Sequence, residues 1–103
     1  MKIKFTKLAT QDLHSTKEFI SKDNPHAAES VICRIMESIE NILAFPSIGR
    51  PGRVPHTKEL VVSSTPFFIV YQVRLNTLFI VRVLHAATKW PYALSSFLMQ
   101  LGY

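Results

Sequence analysis

Carboxylates almost disappear from this chain after residue 44. Residues 45–103 hold Glu59 alone against six Lys and Arg, while residues 1–44 hold six of each sign, so the whole net charge of +5 belongs to the second half. Hydrolysis by paired carboxylates needs two facing acids, and that half cannot supply them. A one-sided basic surface suits a polyanion or an acidic protein partner, with an ordinary solvated face as the plain alternative. Cysteine is nearly absent too. Cys33 is the single one, which excludes an intramolecular disulfide and fits a reducing compartment. Its place in a helical pattern predicts a buried, inert thiol. His14, His26, His56 and His85 show no ligand spacing, so no metal and no cofactor are expected. Gly49 and Gly52 form a G-x-x-G that does not open a helix, which excludes a phosphate-cradling loop of the usual kind, and there is no G-x-S-x-G. No apolar run approaches the ~20 residues of a membrane span. The N-terminus lacks a signal-peptide core. A cytoplasmic protein with no membrane contact is the expectation.

What is present is enough for one domain. The 103 residues are 48% hydrophobic and only 18% charged, a balance that favours a folded chain over a disordered one. KIKF (Lys2 to Phe5) alternates and reads as a first strand. Thr6 can cap a helix whose inner face is Ala9, Leu13, Thr16 and Ile20, ending near Lys22. Asn24-Pro25 then starts a second helix. Its stripe is Ala28, Val31, Ile32, Ile35, Met36, Ile39, Ile42 and Leu43, and Pro46 stops it. Three strand-like runs follow: KELVVS, FFIVYQVR and TLFIVRVLH. Their connections at Thr65-Pro66 and Leu75-Asn76 are short enough for antiparallel pairing. The order β-α-α-β-β-β predicts an α+β domain over residues 1–91, a helix hairpin packed on one face of an antiparallel sheet. Residues 92–103 read as an apolar C-terminal extension that packs on the domain or on a partner.

A two-residue turn at Leu75-Asn76 pairs Arg74 with Thr77. Regular alternation then places Phe68, Val70, Phe79, Val81 and Val83 on one face. Ile69, Tyr71, Val73, Leu78, Ile80 and Arg82 fall on the other. Both faces are apolar, yet one helix hairpin covers only one of them. The second face needs the tail, a second copy or another protein to cover it.

The remaining chemistry is cationic. FPSIGRPGRVPHTKELVV carries Arg50, Arg53 and Lys58 on a proline-stiffened loop. Arg82 projects from the last strand and His85 ends it. Fixed cations can stabilise a phosphorane-like transition state without a metal, and a histidine titrating near neutrality can move the proton. Blander roles stay open: Arg50 and Arg53 solvating a turn, Lys58 pairing with Glu59, His85 as a hydrogen-bonded strand end. An arginine in mid-strand is costly unless it is paired or faces a partner.

These pieces together resemble a known family. LATQDLHSTKEFI, NPHAAESVICRI, FPSIGRPGRVPHTKELVV, PFFIVYQV and FIVRVLHAATKWP follow one another as in the RelE/ParE superfamily, the toxins of type II toxin–antitoxin modules. The ParE-like branch is the more similar. The resemblance implies two helices on an antiparallel sheet and a cognate antitoxin that wraps the toxin, in a dimer or a larger hetero-oligomer. It implies inhibition of DNA gyrase for a ParE-like member, which is not an enzyme. A RelE-like member is instead a metal-independent endoribonuclease acting on mRNA at the ribosome. An inactive toxin that only binds its antitoxin is the third possibility. By resemblance, Arg50, Arg53, Lys58, Arg82 and His85 are the candidate catalytic groups of a nuclease. The same five, with Tyr71 and Trp90, are the candidate partner-binding or target-binding residues. Two departures argue against strong nuclease activity. The usual H-G-A-R is His85-Ala86-Ala87-Thr88 here, and G-T-R-E is His56-Thr57-Lys58-Glu59, where Lys cannot supply the bidentate fork of Arg.

Overall fold

The structure, a computed structural model, describes residues 1–91. The expectation for the extension 92–103 lies outside the described residues. β1 (Lys2–Phe5) leads into α1 (Lys7–Ser21) and α2 (Pro25–Ala44), followed by β2 (Arg50–Pro51), β3 (Lys58–Val61), β4 (Phe67–Arg74) and β5 (Thr77–His85).

The helix signals act as their chemistry requires. The Ala9 N–H donates to the Thr6 hydroxyl at 3.1 Å, and that hydroxyl donates to the Val81 carbonyl at 2.7 Å, so one threonine caps α1 and fastens it to the sheet. Asn24 accepts from the Ala27 N–H at 3.1 Å, with Pro25 opening α2. The predicted stripe buries Ala28, Ile35, Ile39 and Ile42. Cys33 does not follow it. Its thiol is exposed, because residue 33 falls between the inward positions 32 and 35.

The sheet runs β1-β5-β4-β3-β2. The predicted meander β3-β4-β5 is antiparallel. The sheet as a whole is mixed, however, because β1 lies parallel to β5, with Ile3 opposite Leu78. A strand that reaches the sheet through a helix hairpin can dock parallel, since the crossover is long enough. β2 is a two-residue edge strand inside the basic loop, and Pro51 is tolerated there because an edge residue owes no ladder bond on its outer side. The Leu75-Asn76 turn has both residues at positive φ, 52° and 55°, the geometry that matches strand twist in a two-residue hairpin.

One irregularity changes the faces. Val70 pairs with Arg82 but Tyr71 pairs with Ile80, so Val81 is an extra residue in β5. Beyond it every side chain changes side relative to regular alternation. Val83 therefore joins Ile69, Tyr71, Leu78 and Ile80 in the core under the helices. Arg82 lies opposite Val70, not beside Tyr71 as regular alternation predicts. On the second face Phe68, Val70, Val81 and Leu84 pack with Val54 from the basic loop and with Trp90. The chain thus covers part of that face itself.

Candidate functional site

Most of the loop's geometry depends on one buried acid. Glu59, the only carboxylate of the second half, has a side chain just 1% exposed. It accepts from the Arg53 backbone N–H at 2.9 Å and from Arg50 Nη2 at 3.3 Å, with Arg53 Nε at 3.7 Å. The two arginine side chains stay 61% and 45% exposed. The anion is inside and the cations are outside. Glu59 sits where Arg50 pairs with it across β2 and β3, so the short edge strand exists to bring these charges together. The partner of Glu59 is this arginine pair and not its neighbour Lys58.

Tyr71 holds the start of the loop. Its ring is fully buried. The hydroxyl accepts from the Gly49 N–H at 2.9 Å and donates to the Pro46 carbonyl at 2.8 Å. Burial raises the phenol pKa above 10.0, more than the Gly49 hydrogen bond lowers it. Gly49 has to be glycine for contact reasons: a Cβ would stand 2.7 Å from the Tyr71 hydroxyl and 3.0 Å from the Glu59 carbonyl oxygen.

Arg53 also donates to the Trp90 carbonyl at 3.1 Å, and its guanidinium carbon lies 5.4 Å from the centre of the Phe68 ring. Arg50 and Arg53 thereby rim a cleft of about 120 Å³ on the second face, floored by Val61, Pro66 and Phe68. Its lining contains no group that titrates near neutrality.

The other expected residues do not converge on this cleft. Lys58 pairs with Tyr71 and Glu59 with Val70, so alternation puts the lysine on the opposite face from Glu59. His85 is exposed at the end of β5 beside a different groove, lined by Ser15, Thr16, Phe19, Ile20 and Phe67. Its Nδ1 accepts from the Ala87 N–H at 2.9 Å, and its ring meets Phe67 edge-on at 5.4 Å. Arg82 is held in a bidentate pair with Asp12 of α1, at 2.8 and 2.9 Å, and its guanidinium lies 5.6 Å from the Trp90 ring centre. Asp12 also accepts from the Val83 N–H at 3.0 Å, taking the place of a neighbouring strand where β1 has ended. Trp90 is buried on the second face. The structure therefore brings Arg50, Arg53, Glu59 and the Trp90 carbonyl together, sets Arg82 against the Trp90 ring but outside the cleft, and leaves Lys58 and His85 apart from them.

Asp12 and Glu59 are the residues that sequence reasoning missed. The signal for Glu59 was its isolation in a basic half. Nothing local marked Asp12 among the helix carboxylates.

Residues 3–90 match the family model described as the ParE toxin of the type II toxin–antitoxin system parDE. This chain belongs to the ParE toxin family. It is 36% identical over 93 residues to the protein Y4kP of Sinorhizobium fredii, a match that spans 90% of this chain and 96% of that one. Among solved structures it is similar to a chain of the chromosomal ParDE toxin–antitoxin system of P. aeruginosa, at TM-score 0.73 and 25% identity over 82% of this chain and 95% of that one. The isolated E. coli RelE toxin shares the fold, at TM-score 0.59 and 17% identity over 97% of both chains. As a type II toxin of the ParE family, the chain carries the RelE/ParE architecture, two helices on a five-stranded mixed sheet. Among its described residues, no helix is long and apolar enough to cross a membrane.

Proposed function

We propose that this ParE-family toxin arrests growth by binding and inhibiting DNA gyrase in the cytoplasm, and that a cognate antitoxin silences it by covering the basic second face. One observation carries the choice over a RelE-like nuclease. Arg50 and Arg53 are displayed together, but no histidine is among the described residues that line their cleft, and the carboxylate beside them, Glu59, is buried and already engaged by both. His85, the candidate acid or base, lines a groove against α1 instead. Proton transfer needs a donor within hydrogen-bond reach of the reacting oxygen. Cations held on a rigid frame without such a group suit recognition of an acidic surface more than cleavage. The greater likeness to the ParDE chain than to RelE supports the same reading.

The deciding experiment is a gyrase supercoiling and cleavage assay with purified, antitoxin-free protein. Inhibition of supercoiling with trapped double-strand breaks is the expected result. No effect at large excess of folded protein removes gyrase as the target, and cleavage of translated transcripts after induction would then assign the ribosome.

A further inference from the structure

The helix hairpin covers one face of the sheet and turns its own outer face to water. A groove of about 190 Å³ runs along that outer face, lined by Thr10, Leu13, His14 and Lys17 of α1 and by Ile32 and Met36 of α2. Leu13 and Ile32 are half-buried, and Met36 stands beside them 42% exposed. The charges flanking this apolar strip are segregated. On α2, Glu29 and Glu40 lie seven residues before and four after Met36, so they share its stripe. On α1, Lys17 lines the groove and Lys7 lies seven residues before His14, with Glu18 further round the helix. Lys7, Lys17, Glu29 and Glu40 are all exposed, and among the described residues none of the four has an ion-pair partner.

An apolar strip between a basic rim and an acidic rim is complementary to a copy of itself. Two copies can meet face to face about a two-fold axis that runs either across the helices or along them. An axis across the helices sets α1 on α1 and α2 on α2, with lysine facing lysine and glutamate facing glutamate. An axis along the helices sets α1 on the partner's α2, and heights then match as well as signs. Lys17 lies five residues before the α1 cap Lys22, and Glu29 five residues after the α2 cap Asn24. Lys7 and Glu40 lie at the far end, 15 and 16 residues from the same caps. Thr10 and Met36 are each 12 residues from them.

We propose that this face is a homodimer interface. Each copy seats Met36 in the other's groove beside Thr10 and Leu13, with Lys17 against the partner's Glu29 and Lys7 against the partner's Glu40. A hairpin about 30 Å long and 20 Å wide offers on the order of 600 Å² per copy, at the small end for a specific interface. The dimer is therefore weak and forms at roughly 10–100 µM. It does not rest on the gyrase reading, since the arginine cleft lies on the other side of the sheet.

The test is sedimentation of the purified, antitoxin-free full chain in reducing buffer, which keeps the exposed Cys33 from cross-linking copies. Wild type should pass from monomer to dimer across that range. Met36→Asp, Lys17→Glu and Glu29→Lys should each weaken the dimer about tenfold or more, because a two-fold axis repeats every contact. An equimolar mixture of the Lys17→Glu and Glu29→Lys proteins should dimerise as well as wild type, since each copy offers the other its missing charge. A wild-type chain that stays monomeric at several hundred micromolar overturns the proposal and leaves the face to another partner, such as the antitoxin. A dimer that survives the three substitutions, or a mixture that stays monomeric, overturns it too.

Discussion

Two arginine–carboxylate arrangements in this molecule use the same chemistry for opposite ends. Arg82 and Asp12 are both largely shielded, 13% and 14% exposed, in a bidentate pair that joins β5 to α1. Arg50 and Arg53 share the fully buried Glu59 but remain 61% and 45% exposed themselves. In the first case both charges are drawn away from water. In the second, the buried anion fixes the cations in place without removing them from the surface. Exposure of the cation, more than the presence of a pair, separates a structural arginine from a presented one.

The largest expected effect is on the shielded pair. Asp12→Ala removes the bidentate acceptor of Arg82 and frees the Val83 N–H, and removal of one partner from a largely shielded pair costs on the order of 3 kcal/mol. A fall of that size in the urea unfolding free energy is expected. A loss under about 1 kcal/mol would place this pair with surface ion pairs and erase the contrast.

Glu59→Gln comes next. It keeps the shape but weakens the bonds to Arg50 and Arg53, and hydrogen bonds to charged groups contribute roughly 1.5–3 kcal/mol. It also raises the local positive charge. If the arginines act only as charge, growth arrest on induction should strengthen. The geometry described above predicts that it weakens, because the two guanidinium groups lose their common anchor.

Tyr71→Phe should cost about 1–3 kcal/mol, since the buried Gly49 N–H loses its acceptor. It also carries a pH signature. The folded-state pKa is raised, so the unfolded chain ionises first as pH climbs past 10. The stability due to neutral Tyr71 is fully present below about pH 10 and is lost as pH rises through the folded-state pKa. Urea midpoints for wild type and Tyr71→Phe should converge over that range. Parallel curves would remove Tyr71 as the titrating group.

The smallest effect on stability belongs to Arg50→Ala, at about 0–1 kcal/mol for an exposed ion pair. Its effect on growth arrest should nevertheless be large. Full toxicity of well-expressed Arg50→Ala and Arg53→Ala proteins would end the assignment of this loop to the target surface.

Much of the fold is local and therefore legible. Thr6, Asn24-Pro25 and Pro46 mark helix ends by capping and by the loss of a backbone donor, and the two helical stripes and the Leu75-Asn76 turn follow from periodicity and φ preference. The candidate site is legible only as a cluster of cations. Which cations are presented depends on pairings that sequence distance hides: Asp12 and Arg82 are 70 residues apart, and Tyr71 meets Pro46 across 25.

By itself, the sequence determined the element order, the basic second half with its single carboxylate, and the resemblance to the RelE/ParE toxins. These depend on nearest neighbours, composition and charge count. Only the tertiary structure decided that β1 docks parallel, that Val81 bulges and sets Arg82 opposite Val70, that Arg82 pairs with Asp12, that Cys33 faces water, and that Glu59 lies buried beneath two exposed arginines. The physical reason is the period of two in a strand. One inserted residue reverses every side chain after it, and no local preference in the sequence says where the insertion falls.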